Sequence, residues 1–326
     1  MVTLLDDDVL TRALIEANPA RTPTDARPDD EALRMRARIM APVPTRRAPR
    51  RARARWAWGS GIAATAAAAA VVVGVIAPQG AAVAVTPKPL VFADAGSAAS
   101  IVDRALEALS ADSGPAEPVR TVESIAWSLS VEVEEQRSEV VPQFIDLTWN
   151  EDMSGRMTIL AGEGYWPSDI SGGSGEVTIG DEVLMDLEMK PGEFNTPVAQ
   201  TPGESSEDVR AMLTAYGMPE NPSASDVLAA IVTAVNQWTL TDEQHAAMLE
   251  LLESSGGVHA LGSTTDRLGR QVYALGVDSS GVSEKVLISA ATGRIVGVET
   301  EQTTDDGIVP AGAVVFYSMW DLSEGD

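Results

Sequence analysis

The chain has no cysteine and only two histidines among 326 residues, and both scarcities narrow its chemistry. Without thiols there is no disulfide framework, no thiolate nucleophile and no zinc site built on sulfur. A hydrolytic triad would need a histidine beside a serine and a carboxylate. His245 falls in an expected helix and His259 in an expected strand, and no G-x-S-x-G elbow occurs. The P-loop, the G-x-G-x-x-G turn and the H-E-x-x-H helix are missing as well. The residues therefore predict a non-enzymatic protein with no cofactor, no metal and no catalytic residue.

Basic residues are scarce too: 23 Lys and Arg stand against 48 Asp and Glu, a net charge of −25. The deficit is uneven. Residues 1–56 hold twelve arginines and eight acids, a net of +4, and the rest holds eleven bases and forty acids, a net of −29. A field of that sign repels phosphates, which argues against nucleic acid as a partner. Acids could recruit calcium, and two turns are candidates, Asn150-Glu151-Asp152 and Asp305-Asp306-Gly307. Neither has the alternating ligand spacing of a calcium loop, so both read as solvated turns. Glu132, Glu134 and Glu135 read as a charged strand edge that discourages aggregation, in preference to an acid–base pair.

Long uncharged runs are also rare, and the one at residues 58–77 is the chain's most informative feature. Its twenty residues would rise about 30 Å as a helix, the thickness of a bilayer's hydrocarbon core. Arg46, Arg47, Arg50, Arg51, Arg53 and Arg55 precede it, and Pro78 follows. Short basic flanks stay on the cytoplasmic side, so the expected topology is N-terminus cytoplasmic and C-terminus extracytoplasmic in the cell membrane. Trp56 and Trp58 suit the interface. The tract is alanine-rich, and Ile62, Val71, Val72, Val73, Val75 and Ile76 supply most of its apolar character. Two other readings stand beside a retained span: a cleaved signal ending near Ala82-Val83-Ala84, and a buried soluble helix.

The resulting organisation is a cytoplasmic tail over 1–55, a transmembrane helix over 56–77, a linker over 78–96 and an extracytoplasmic domain over 97–326. The tail carries two short amphipathic candidates, residues 7–16 and 30–40, separated and followed by prolines; it is too short for its own core and is expected to be largely disordered or to fold on a partner. In the outer part, residues 98–110 predict an amphipathic helix. From 121 to 133 the pattern alternates, with Ile125, Trp127, Leu129, Val131 and Val133 on one face, which is expected to meet helices or a ligand or simply to be core. Residues 144–149 and 156–161 continue as strands, and 183–189 read as strand or helix. Three helices follow, over 206–216, 225–238 and 242–253. Ser205 and Ser206 are candidate caps for the first, and Thr241 with Gln244 forms a capping box on the last. The stripe Val227, Leu228, Ile231, Val232, Val235 and Trp238 reads as core. Strands return at 257–261, 271–277, 285–289, 294–299 and 314–320. Strands, helices, then strands joined by tight turns predict an α+β domain on an antiparallel sheet.

Residues 242–299 carry a resemblance. A helix ending in leucines, G-G-V at 256–258, T-D-R-L-G-R at 265–270 and A-T-G-R-I-V-G at 291–297 resemble a group of actinobacterial single-pass membrane proteins with an arginine-flanked span and an outer domain. The hairpin 285–299, with Leu287, Ile288, Thr292, Gly293 and Arg294, is also similar to the strand-turn-strand unit of the lipoprotein-carrier and sigma-regulator sensor superfamily. That resemblance implies a curved antiparallel sheet around packed helices, and a domain that binds a lipid, a lipoprotein or a protein signal. It also implies an alternative, a membrane-bound anti-sigma-like regulator whose tail contacts a cytoplasmic regulatory protein. The tail lacks the His/Cys zinc motif common in anti-sigma domains.

Overall fold

A computed structural model of the chain describes residues 86–111, 114–129, 140–165, 177–305 and 309–322. The expected tail, the expected span and residues 78–85 of the expected linker lie outside these residues, as do Val131, Val133, Glu132, Glu134 and Glu135. Among the described residues no helix is long and apolar enough to cross a membrane.

The domain is α+β, with four helices and nine strands among the described residues. Helix α1 (Ala98–Leu109) is capped by Ser97, whose side chain accepts from the Ser100 amide, and it buries Ile101, Val102, Ala105 and Leu109 along one face. A first meander follows: β1 (Thr121–Ser128), β2 (Gln143–Trp149), β3 (Gly155–Gly162) and β4 (Ile179–Met189). Next come α2 (Ser206–Ala215), α3 (Ala224–Val235) and α4 (Asp242–Ser254). A second meander closes the chain: β5 (Val258–Thr265), β6 (Gln271–Ser279), β7 (Val282–Ser289), β8 (Ile295–Gln302) and β9 (Val314–Trp320).

All nine strands join one antiparallel sheet in the order β4-β3-β2-β1-β9-β8-β7-β6-β5. Every neighbouring pair is consecutive in sequence except β1 with β9, which fuses the two meanders edge to edge, setting Ile125 opposite Met319 and Trp127 opposite Tyr317. The short links have local causes. In the β2–β3 turn, the Asp152 carboxylate accepts from the Ser154 amide and Met153 takes a positive φ of 60°. Asp266 does the same for β5–β6, accepting from the amides of Leu268 and Arg270.

The caps explain the helix boundaries. Thr241 and Gln244 form the expected reciprocal box on α4. Helix α3 has a box that was not expected, Ser223 with Asp226, which starts the helix at Ala224. Of the two candidate caps for α2, Ser205 is the one used. The segment expected as strand or helix at 183–189 is the end strand β4.

The helices cover one face of the sheet, and that face is filled. Ile101, Leu213, Ile231, Met248, Leu249 and Leu252 from the helices pack with Val122, Leu147, Leu275, Val286, Ile288 and Trp320 from the strands. Trp149 anchors this layer: Trp238 meets it edge-on and Phe194 stacks on it, each at 4.8 Å between ring centres. Its indole N–H donates to the Gln237 carbonyl at 2.7 Å. Burial of each such aliphatic side chain contributes roughly 1.5–3 kcal/mol, so this layer dominates the fold's stability. The stripe on α3 lies within it, as expected for core.

Of the readings of the 121–133 face, the core reading holds for Ile125 and Trp127, and it holds on the side of the sheet away from the helices. Ile125 and Trp127 do not face the helices; they join Val140, Val314, Tyr317 and Met319 in a separate cluster on the opposite face. Their alternation identified a strand with one apolar face, but Val122, three residues before Ile125 and so on the other face, is the β1 residue that meets the helix layer. A third cluster, Leu90, Val272, Ala274, Leu287 and Val296, covers more of the opposite face. It includes part of the expected linker: residues 88–93 lie on the sheet as a strap, with reciprocal amide–carbonyl bonds between Ala93 and Ser263 at 2.8 and 2.7 Å.

Candidate functional site

The face away from the helices holds a buried ionic cluster. Glu299 on β8 accepts from Lys285 on β7 at 2.9 Å and from the Arg267 guanidinium; Nε of Arg267 lies 3.1 Å from Oε2. Lys285 also reaches Glu301 at 2.6 Å. The side chains of Arg267, Lys285 and Glu299 are 2%, 7% and 1% exposed. Arg267 donates to the Lys88 carbonyl at 2.9 Å, and the Leu90 amide points to Glu299, so the cluster fastens the strap. Arg267 also lies over the Tyr317 ring, whose phenol is pushed up in pKa by burial and is no base near neutrality. Two cations are balanced by two carboxylates, and each is oriented by hydrogen bonds. The chemistry is that of a fastening.

Two further buried pairs tie the layers together. Arg294 bonds Asp242 at 2.8 Å, the Leu240 carbonyl at 2.7 Å and Asp321 at 3.0 Å, which joins the start of α4 to both β8 and the end of β9. Arg270 bonds Asp266 and the carbonyls of Trp320 and Val296.

The two histidines have different surroundings. His245 is buried in α4, where its Nδ1 accepts from the Ile295 amide at 3.2 Å, and burial followed by the nearby Arg294 charge lowers its pKa to about 3. It is neutral at physiological pH and serves as an acceptor for β8. His259 lies across β5 and β6 from Gly276, with Nδ1 3.8 Å from Asp278. Of the acidic turns, Asn150-Glu151-Asp152 makes the β2–β3 link already described, while Asp306 and Gly307 lie outside the described residues. Among the described residues no three His, Cys, Asp or Glu side chains are grouped to hold a metal ion.

The sheet's two edges contrast with this interior. The strap occupies part of the β5 edge, through Ala93 and through Thr264 Oγ1, which donates to the Val91 carbonyl at 2.8 Å. The β4 edge has no such cover among the described residues. Met189 alone is buried in that strand, and Ile179, Val183, Leu184 and Leu187 are 49%, 57%, 40% and 44% exposed. Four of its residues are acids: Asp181, Glu182, Asp186 and Glu188. Asp186 is clamped by Arg156 of β3 through two bonds of 2.8 Å, and these hold the carboxyl below its usual pKa. Beside this clamp lies an open groove of about 740 Å³, lined by Thr148, Asn150, Arg156, Asp186, Glu188 and Pro191 among others.

No family model matches the chain, and no curated protein does. The β4 surface does not stand out in the sequence because the like neighbours Asp181-Glu182 and Val183-Leu184 interrupt the alternation. The signal was present in Met185, Leu187 and Met189, which alternate with Asp186 and Glu188.

Proposed function

We propose that the chain is a non-enzymatic single-pass envelope protein, anchored by residues 56–77 with its tail in the cytoplasm, whose acidic outer domain binds a protein signal at its surface. The arginine-flanked tract and the division of charge around it support the topology. The tail is the contact for a cytoplasmic regulatory protein.

The observation that carries the choice of a protein ligand is the filled helix face. A carrier for an acyl chain needs a vacant apolar concavity between sheet and helices. Here that space is occupied by Trp149, Leu213, Ile231, Met248 and Leu252, each less than 3% exposed. The apolar side chains left open to solvent lie outside, on β4 and at Val91 and Val119, within reach of another macromolecule.

The test is photo-crosslinking of the full-length chain in its native membrane, with the reactive side chain placed in turn at Leu184, Val119 and Val91. A defined protein adduct from at least one position is expected, together with protease access to the domain from outside intact cells. Lipid adducts alone, or a domain digested only after lysis, would overturn the reading.

A further inference from the structure

We infer that the β4 edge is a strand-addition site for an extended segment of a partner protein in which lysine or arginine alternates with apolar residues. The inference rests on the protein-binding reading above and names where and what the domain binds.

An end strand presents a row of unpaired backbone N–H and C=O groups to any segment that can lie beside it. The eleven residues of β4 offer such a row about 36 Å long. The chain deals with its other edge differently, by laying residues 88–93 against β5. β4 carries two devices that protect an edge, its four acids and two register shifts against β3, but an edge that is only protected need be neither long nor apolar, and β4 is the longest strand described and leaves Val183, Leu184 and Leu187 exposed.

The register decides the chemistry of the occupant. Leu187 pairs with Met157 and Met185 with Ile159, so Met185, Leu187 and Met189 continue the apolar layer of the helix face outward. Glu188 pairs with Arg156 and Asp186 with Thr158, which puts the two carboxylates on the other face. A strand added beside residues 185–189 therefore meets apolar side chains on one face and acids on the other. Directly opposed cross-strand pairs favour apolar against apolar and base against acid, and the segment that satisfies both faces alternates the two types. The open groove beside Asp186 and Glu188 leaves room for a long cationic side chain. Arg156 clamps Asp186 and also feels the Glu188 charge opposite it, so one cation on β3 faces two carboxylates, while Asp181 and Glu182 extend the acidic run along the strand.

The same acids disfavour a second copy of this chain as occupant. Antiparallel self-pairing centred on Leu184 sets Glu182 opposite Asp186; sliding one residue either way sets Asp181 opposite Asp186 or opposite Glu188. Like charges directly opposed destabilise a pair, and these are the three registers with the greatest overlap.

The experiment is hydrogen–deuterium exchange on the full-length chain in detergent at about 150 mM salt, with a capped peptide of alternating lysine and valine of about eight residues as the probe. Slowed exchange confined to residues 179–189 is expected, and the joint change Glu182→Lys and Glu188→Lys should weaken the effect at least tenfold while leaving the rest of the exchange map unchanged. A peptide of equal charge with proline at alternate positions cannot pair and should give no protection. Equal protection by that peptide would show attraction to the acidic surface at large and would overturn the inference. So would no protection at millimolar probe, or residues 179–189 already protected in a chain of dimeric mass. A protein crosslink from Val91 or Val119 with none from Leu184 also overturns this assignment while the protein-binding reading stands; no protein crosslink from any position removes that reading itself.

Discussion

The two ends of the sheet are built on opposite principles. At the β5 end, residues 88–93 lie across the strands and are fastened by Arg267, Lys285 and Glu299, all nearly inaccessible to water. At the β4 end, apolar and acidic side chains stand open, and the one pronounced ion pair, Arg156 with Asp186, is solvated. Buried ionic groups are costly to leave unpaired, whereas exposed ones are screened and contribute little. Buried charge is therefore concentrated toward β5–β9, and the exposed positions of β4 are where change is tolerated. A binding surface placed at the tolerant end can vary without endangering the fold.

The comparison breaks most readily at Glu299. Glu299→Gln removes the carboxylate shared by Arg267 and Lys285 and leaves two buried cations underbalanced, at an expected cost of about 3–5 kcal/mol. Urea denaturation should show a matching fall in midpoint, with no comparable change for Glu188→Gln. A small shift for both would mean that the two ends are alike.

Leu90→Ala tests the strap separately from its charges. Leu90 is 6% exposed among Val272, Leu287 and Val296, so truncation should cost about 2–3 kcal/mol and open the strap to limited proteolysis. Gly262→Ala should open it by another route. Gly262 has a φ of +124°, and a Cβ there would overlap the Ala93 carbonyl. If either variant digests no faster near residues 88–93, the strap is not a stabilising element.

Acid should weaken the buried end through His245. Its folded pKa of about 3 lies below the ordinary 6.5, so the unfolded chain takes up the proton first. Stability is fully retained above pH 6.5 and falls with further acidification, at up to about 1.4 kcal/mol per pH unit from this one group. The difference in unfolding free energy between the parent and His245→Gln, followed from pH 7 to 4, should narrow toward low pH. A constant difference would show that the imidazole does not titrate with unfolding.

The smallest effect is expected on β4. Leu184→Thr, at a position 40% exposed, should alter stability by less than about 0.5 kcal/mol. A larger loss would mean that this edge belongs to the core, and would sharpen the contrast in the opposite direction.

Much of this arrangement was legible where its cause is local. Thr241 and Gln244 marked the start of α4 because a cap is an interaction between neighbours in sequence. The hairpins of the second meander announced themselves through Asp266 and Gly293, which answer to turn geometry. Other features were not legible. Ile125 and Trp127 were recognised as one face of a strand, but alternation does not say whether that face meets helices or the other side of the sheet. The strap read as linker, since Leu90, Val91 and Phe92 form too short an apolar run among prolines and small residues to mark an element. β4 read as strand or helix because Asp181-Glu182 and Val183-Leu184 interrupt its alternation.

The sequence by itself determined the local units: which segments alternate, where helices begin, where the chain turns, and the unequal division of charge about residues 58–77. Only the tertiary structure decided that β1 and β9, nearly two hundred residues apart, lie side by side, that residues 88–93 close one edge, and that β4 ends the sheet uncovered by any other described residue. The physical reason is range. Caps, turns and periodicity are set by residues a few positions apart, whereas the pairing of distant strands and the choice of covered face follow from which apolar surfaces can be buried together, and that depends on the whole domain at once.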